Sequence, residues 1–487
     1  MLRQNHQKIN EIKKSLFLIL GIILILGGCS FNPDYKTPDA SIPSGMPFGK
    51  TYLESMSKMP ETRVEDIPWR KFITDQGLQN VIEAALDHNS DLLIAALNLQ
   101  RARAIYGIRR ADLFPALNVD AGGSKKRIPK NLSSDQQNRE REVEQYDVNL
   151  GVLSWEIDFF GRIRSLKERA LHEYMATEQA HRSAQILIVY EVSKAYLALA
   201  ADKDNLNLAK TTFETQKKTF DLIKRRFKVG IATDLDFQRA RTQMEGARRD
   251  VARFMQLLAQ DQNTLDLLTG YKFPDDKDVS PDSLGDIEAF KDFFAGVSSE
   301  ILLKRPDVLQ AESILKAAYT NIGAARAALF PRISLTTSVG TASDELSGLF
   351  KAGSDTWNFA SRIIMPVFDA RLWSAVDVTK AEKEIALVQY EKALQTAFRE
   401  VADSLAVSAS VEEQLSAQQS LVDATAKTYR LSNVRYKKGI DSYLGVLDAQ
   451  RTLYESQRVL VAISLAKRIN EVRFYTVLGG GVDYDIQ

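Results

Sequence analysis

Side chains equipped for covalent or metal chemistry are scarce in this chain. It has one cysteine, Cys29, and four histidines, His6, His88, His172 and His181. Nucleophilic catalysis needs a thiol or hydroxyl with a base in reach, and a metal centre needs ligands at short spacing. His6 falls in an N-terminal signal segment, and His88, His172 and His181, with no second ligand or nucleophile so placed, each read as a solvated helix residue. The chain is therefore expected to be no enzyme and to hold no metal or other cofactor. The thiol has a setting of its own. Lys8, Lys13 and Lys14 precede an apolar run from Leu16 to Leu26, and Gly27-Gly28-Cys29-Ser30 follows. Eleven apolar residues are too few to span a bilayer as a helix but suit the apolar region of an export signal.

Leu26-Gly27-Gly28-Cys29 resembles a bacterial lipobox. That implies a signal peptide over residues 1–28 and Cys29 as the first mature residue, carrying acyl chains. Ser30, where an aspartate would retain a lipoprotein, resembles the pattern of those sent on to the outer membrane. The alternative is a signal anchor left in place with a buried cysteine. A single cysteine leaves no internal disulfide, so packing alone must hold the fold. Beyond the signal no apolar run reaches transmembrane-helix length, which leaves β-strands for any deeper membrane contact. Charge is balanced, 64 basic residues against 63 acidic, and no basic tract marks a nucleic-acid footprint.

The chain repeats itself. Asp91, Leu93, Ala95, Leu99, Ala102, Gly107, Ala111 and Leu113-Phe114-Pro115 recur as Asp307, Leu309, Ala311, Leu315, Ala318, Gly323, Ala327 and Leu329-Phe330-Pro331, always 216 residues on. Further along, Arg226-Phe227-Lys228, Gly230-Ile231, Leu235 and Ala240 recur as Arg435-Tyr436-Lys437, Gly439-Ile440, Leu444 and Ala449, now 209 residues on. One unit of about 200 residues is duplicated.

Hydrophobic periodicity divides each copy alike. A proline-rich stretch over 29–75 reads as a tether. A helix of about 36 residues runs from Gly77 to Leu113, and Pro115 stops it. The period then changes from 3.6 to 2. Strands are expected over about 116–125 and 146–157, and in the second copy over 332–341 and 356–367. Each has one apolar and one small or polar face, as transmembrane barrel strands do, although an antiparallel sheet on a soluble core shares that alternation. The strand pair is seven residues longer in the first copy, 44 from Pro115 to Phe159 against 37 from Pro331 to Phe368, which accounts for the change of offset. Long helices follow from Arg162 to about Phe227 and from Arg371 to about Lys437, each about 100 Å at 1.5 Å per residue. Each breaks at a glycine, then resumes as a helix of half that length. The first repeat thus covers 76–270, an equatorial segment 271–300, the second repeat 301–478 and a tail 479–487. Four strands cannot close a barrel, and an open edge in lipid leaves backbone groups unpaired. Three chains would supply twelve strands around a hollow centre.

These residues resemble TolC-type outer-membrane efflux factors, and more narrowly the NodT-like lipid-anchored branch that serves resistance-nodulation-division pumps. The resemblance rests on the lipobox, Asn32-Pro33-Asp34-Tyr35, the paired Leu-Phe-Pro ends, Asp158-Phe159-Phe160-Gly161-Arg162, Leu302-Leu303-Lys304-Arg305-Pro306-Asp307 and Tyr443-Leu444-Gly445-Val446-Leu447-Asp448-Ala449. It implies a mostly α-helical trimer with a 12-stranded outer-membrane β-barrel continuous with a long periplasmic α-helical barrel. In this family that channel is the passive exit duct of a tripartite efflux pump for drugs, other small molecules or metal ions. A duct of a type I protein secretion system is the alternative. The implied partners are a periplasmic membrane-fusion adaptor protein, an inner-membrane RND-type pump and outer-membrane lipid. Val229, Gly230, Ile231 and Thr233 fall on the family's tip motif, with Gly439 and Ile440 as their second-copy counterparts. As bare residues these also make simple helix turns. Asp448 matches an aspartate that projects into the pore constriction, where Tyr436, Asp234 and Asp441 are expected as well; an aspartate paired with Arg451 at i+3 on a solvated face would read the same. The family's latch arginine, two residues past the second tip glycine, is here Asp441, and its further aspartate is Gly445. That arginine latches neighbouring protomers in the closed state, and Lys228, Lys437 or Lys438 against Asp234 and Asp441 are the expected substitutes.

Mass spectrometry of the mature N-terminus should find Cys29 acylated. An unmodified cysteine or a retained Met1 would refute the lipobox reading.

Overall fold

The computed structural model describes residues 31–38, 42, 43, 45, 64, 67–129, 141–272, 281–291 and 299–481. The expected signal peptide, the acylation site Cys29, most of the tether and residues 482–487 lie outside these. The elements follow the duplication. After a single turn, α1 (Trp69–Phe72), and α2 (Gln76–His88), the first copy runs α3 (Ser90–Ala111), β1 (Asn118–Ile128), β2 (Arg141–Ile157), α4 (Arg162–Lys228) and α5 (Asp234–Thr269). The second copy runs α6 (Pro306–Ala327), β3 (Arg332–Ser343), β4 (Asp355–Ile364), α7 (Ala370–Lys437) and α8 (Tyr443–Val477). The chain divides into two compact units. One gathers Gln100–Ala176 and Ala311–Tyr390 with the N-terminal residues to Pro38; the other holds Asp39–Leu99, Thr177–Gln310 and Glu391–Gln487.

In the first unit the four strands form one antiparallel sheet in chain order, β1-β2-β3-β4, with β1 and β4 at its edges. The register aligns the faces. One row across the sheet is Val119, Leu150, Val339, Trp357, all exposed; the adjacent row, on the opposite face, is Asn118, Gly151, Ser338, Asn358. A bulge between Val152 and Trp155 is the one irregularity in the ladders. Strand β2 begins five residues before the alternation does. There Lys125 reaches Glu144 at 2.6 Å and Glu142 at 3.4 Å across the ladder, and with Val143 the only apolar residue of 141–145 the period-2 signal is weak. Strand β4 stops at Ile364 rather than 367, because Pro366 has no N–H to give a ladder.

The segment 31–35 is strapped to this unit. Asn32 donates to Glu168 at 2.8 Å and accepts from Ser165 at 2.7 Å. A Cβ at Gly323 of α6 would lie 1.8 Å from the Asn32 Oδ1, so the repeated glycine is needed here for close approach. Phe31 stacks on Phe330 at 4.5 Å, and Phe330 on Phe160 at 5.0 Å. The hydroxyl of Tyr35 donates to Glu312 at 2.9 Å.

In the second unit the expected single helix from Gly77 to Leu113 is broken at Asn89. This residue is extended, with φ −63° and ψ 125°. Its Oδ1 accepts from the N–H of Asp91 and Leu92 at 2.9 and 3.1 Å, capping α3. Its Nδ2 donates to the carbonyl of Leu268 at 2.9 Å. The second copy makes the same joint with different chemistry. Arg305, the counterpart of Asn89, donates from Nη1 to the carbonyl of Val477, the counterpart of Leu268, at 2.6 Å. Arg305 is 8% exposed. Asp307 and Glu400, both at 2.7 Å, neutralise it. Around these joints pack Trp69, Phe72, Ile73, Leu78 and Ile82, all buried, with Phe72 stacked on Tyr475 at 4.0 Å. Among the described residues one helix, α4, contains a stretch apolar and long enough to cross a bilayer by composition; 56% of that stretch is buried within the chain.

Between α4 and α5 the copies differ again. The carboxyls of Asp202 and Asp261 lie close enough there to interact, and burial followed by the charge of Asp202 pushes Asp261 up to about 7. The positions 209 residues on hold Val411 and Asn470, which do not titrate. An acid raised in the folded state gives a stabilisation fully present below its unfolded value and lost as pH rises through the folded one. Thermal stability should therefore fall between about pH 4 and pH 7, and Asp261→Asn should flatten that slope in melting curves taken across the range. An unchanged slope would place the titrating group elsewhere.

Candidate functional site

The two glycine turns, at the junctions of α4 with α5 and of α7 with α8, are built alike. Gly230 and Gly439 have φ of 77° and 75°, a left-handed conformation that a side chain would strain. The N–H of Ile231 returns to the Arg226 carbonyl and that of Ile440 to the Arg435 carbonyl. Gly230 and Gly439 likewise bond Phe227 and Tyr436. Both helices thus end in a Schellman motif, which satisfies carbonyls that a helix end leaves unpaired. The next helix then starts at once. Thr233 caps α5 through Asp236 N–H at 3.2 Å, whereas Ser442 makes no side-chain cap to α8.

Beneath the turns Ile223, Ala240, Tyr443, Val446 and Leu447 form a buried cluster, joined by Phe220, Phe237 and Tyr436. Of the apolar turn residues only Ala232 packs against it; the others do not. Val229 is 69% exposed, Ile231 75% and Ile440 60%. The expected tip residues are therefore on the surface with no apolar partner in the buried cluster.

The polar residues divide the two turns into different kinds. At the second turn Arg435 grips Asp441 through Nε and Nη2, the latter at 3.0 Å, and holds its carboxyl below the usual range. The first turn has Arg226 at the equivalent place but Ala232 where the acid would be. Arg226 instead donates to the Tyr436 hydroxyl at 3.0 Å, tying the first hairpin to the second. Within the one chain Asp441 is taken by Arg435, Asp234 accepts from Gln238 at 3.3 Å, and Lys228, Lys437 and Lys438 have no ion pair among the described residues, so the expected lysine contacts fall to neighbouring copies. The Schellman bond from the Ile440 N–H to the Arg435 carbonyl closes the loop and sets Asp441, the next residue, beside Arg435. Neither Arg226 nor Arg435 was expected as a site residue. The signal was available in the difference between Arg226-to-Ala232 and Arg435-to-Asp441, six residues apart in each.

Asp448 lies on α8 with Arg451 at 2.8 Å, both exposed. They line one side of a cleft of about 440 Å³, with Leu235, Gln238 and Arg239 of α5 on the other. Tyr436 packs on Tyr443 at 5.3 Å. Burial pushes the Tyr443 hydroxyl up. Among the described residues no group of three His, Cys, Asp or Glu side chains could hold a metal ion.

Residues 81–271 and 297–480 match the outer membrane efflux protein family. The two segments are the two copies. The chain is 44% identical over 469 residues, 96% of each chain, to the probable efflux pump outer membrane protein TtgC of Pseudomonas putida KT2440. It is 38% identical over 464 residues, 95% of each, to outer membrane protein OprJ of Pseudomonas aeruginosa. Among solved structures, a membrane protein from Pseudomonas aeruginosa superposes with a TM-score of 0.85 at 38% identity, covering 93% of this chain and 98% of that one. The open-state MtrE outer membrane channel of Neisseria gonorrhoeae gives 0.83 at 32% identity, covering 94% and 100%. Matched along both copies in sequence and in fold, the chain belongs to the outer membrane efflux protein family.

Proposed function

We propose that the chain is the outer-membrane exit duct of a tripartite efflux pump, passing small organic molecules from the periplasm to the exterior. The observation that carries this is the sheet. Its apolar row Val119, Leu150, Val339, Trp357 suits lipid and its polar row Asn118, Gly151, Ser338, Asn358 suits a wet lumen, on strands of barrel length. The two edges need further copies, and a trimer supplies the twelve strands of a channel. The cargo class follows from the relatives: proteins 44% identical are described as toluene and antibiotic efflux pump components. Such a duct performs no chemistry of its own, and acyl chains on Cys29 would be its only attached group.

The exposed ledge of Val229, Ile231 and Ile440, with Gly230, Gly439 and Thr233 setting the turns, is the docking tip for the periplasmic adaptor, which in turn links the duct to an inner-membrane pump of the RND type. Apolar residues held out on a rigid turn can seat the tip of a partner helix pair. Asp448, with Tyr436, Asp234 and Asp441 nearby, lines the constriction, where a ring of carboxylates would favour cations.

Gly230→Glu should abolish efflux-dependent solvent or antibiotic resistance. Detergent-extracted protein should still run as a trimer of about 160 kDa, three chains of 54.6 kDa less their signals. Normal resistance would move the adaptor site away from this turn; a monodisperse monomer of wild-type protein would overturn the duct. Asp448→Ala should raise conductance or weaken cation selectivity in planar bilayers. Unchanged values would leave Asp448 as the surface partner of Arg451.

A further inference from the structure

Edge strands β1 and β4 have no partner within the chain, and the duplication says how they must meet. The strands of the two copies are joined at one ladder, that of β2 on β3, in which Tyr146 opposes Ser343, Val148 opposes Thr341 and Gly151 opposes Ser338. Strand β4 is β2 moved 209 residues on, and β1 is β3 moved 216 residues back. The same joint made by β4 with β1 of another copy puts Asp355 opposite Arg127 and Ala360 opposite Gly122. Nothing interrupts β4 on β3 from Asp355 to Ile364, nor β1 on β2 from Asn118 to Ile128. The register therefore continues without a bulge to Arg362 opposite Asp120.

We infer that β4 of one copy pairs with β1 of the next in the single register that sets Asp355 against Arg127 and Arg362 against Asp120, so that two ion pairs select the closure of the barrel. The inference rests on the reading that copies of this chain close a barrel, and adds which residues meet.

Three observations independent of the transposition agree. The faces match: odd positions of both strands carry the apolar row, with Val119 on β1 and Trp357 on β4, and the register joins odd to odd. A slip by one residue would turn every side chain to the wrong face. The charges match twice, because Asp120 and Arg127 have the same seven-residue spacing as Asp355 and Arg362. Within the chain Asp120, Asp355 and the Arg362 guanidinium have no hydrogen-bond or ion-pair partner among the described residues. A slip by two keeps the faces but sets Arg362 against Asn118 or Gly122. It also sets Asp355 against Pro129, which has no charge, or Lys125, so that at most one ion pair remains. Finally, Phe359 falls opposite Gly123. Tyr146 already covers that glycine from the other side, since a Cβ there would lie 3.2 Å from its ring. An aromatic across from an edge glycine supplies the contact that the glycine lacks.

The test is disulfide trapping in outer membranes, with each single variant as the control for Cys29. Chains carrying both Asp355→Cys and Arg127→Cys should shift under oxidation from the one-copy band to a reducible three-copy band, and chains carrying Asp355→Cys and Lys125→Cys should not. Trapping of the 125 pair in place of the 127 pair would overturn the register while leaving the trimer in place. Absence of any trimer in the wild-type protein would overturn the barrel and the register together. A charge exchange covers the case in which the cysteine variants fail to insert. Arg362→Asp sets two carboxylates opposite each other and should lower trimer yield, and adding Asp120→Arg should restore it. A double variant no better than Arg362→Asp alone would overturn the pairing.

Discussion

Peptide N–H and C=O groups in hydrocarbon have no water to bond, and each one left unpaired costs several kilocalories per mole. That constraint governs the first unit. A four-stranded sheet with two free edges satisfies its inner strands and leaves β1 and β4 each with one unpaired side. Oligomerisation is then a condition for residence in the membrane, not an addition to it. The alternation of faces follows as well, because a closed ring has one side in lipid and one in water. The same requirement appears at the helix ends, where Asn89, Arg305 and the two Schellman turns supply partners for groups that α-helices leave open.

Duplication solves the geometry once and then allows the copies to diverge in chemistry. The joint to Leu268 and Val477 is made by a neutral amide in one copy and a buried guanidinium in the other. The amide needs nothing further. The guanidinium needs Asp307 and Glu400, because an uncompensated buried charge is destabilising by about 3 kcal/mol or more. At the turns the divergence has a mechanical sense. Arg435 is spent inside its own hairpin on Asp441, while Arg226, facing Ala232, reaches the other hairpin. The first turn is left apolar and the second braced.

Most of the architecture could be read from residue order because it repeats. Coincident Leu-Phe-Pro triplets, a change of period from 3.6 to 2, and glycines at matching places fix elements without knowledge of contacts. The expectation failed where a local signal was cancelled. Asn89 looked like one polar residue in a long helix, and only its bonds to Asp91, Leu92 and Leu268 reveal a break. Residues 141–145 carry one apolar side chain, Val143, among four polar ones, too little alternation to distinguish strand from loop. At the site, the exposed positions Val229, Ile231 and Ile440 were legible from the glycine turns. The Arg435–Asp441 pair within one hairpin was not, since it depends on the Schellman closure that brings residues six apart together.

Strand order in the sheet equals chain order, yet β2 ends at Ile157 and β3 begins at Arg332, 175 residues later. The two outer ladders close across short connections, but the central one must wait for α4, α5 and α6 to be made. Non-local pairing of this kind is slow, because the loop entropy is lost before the contacts form. During that interval each newly made β1–β2 hairpin has a free edge on β2, and any hairpin of the second type can satisfy it, whether it comes from its own chain or from a neighbour's. Nascent copies in a crowded periplasm are thus exposed to exchange of halves, a hazard characteristic of repeated folds. The segment of Phe31 to Tyr35 strapped across α4 and α6 gives the chain's own second half a contact that a stranger's half must compete with.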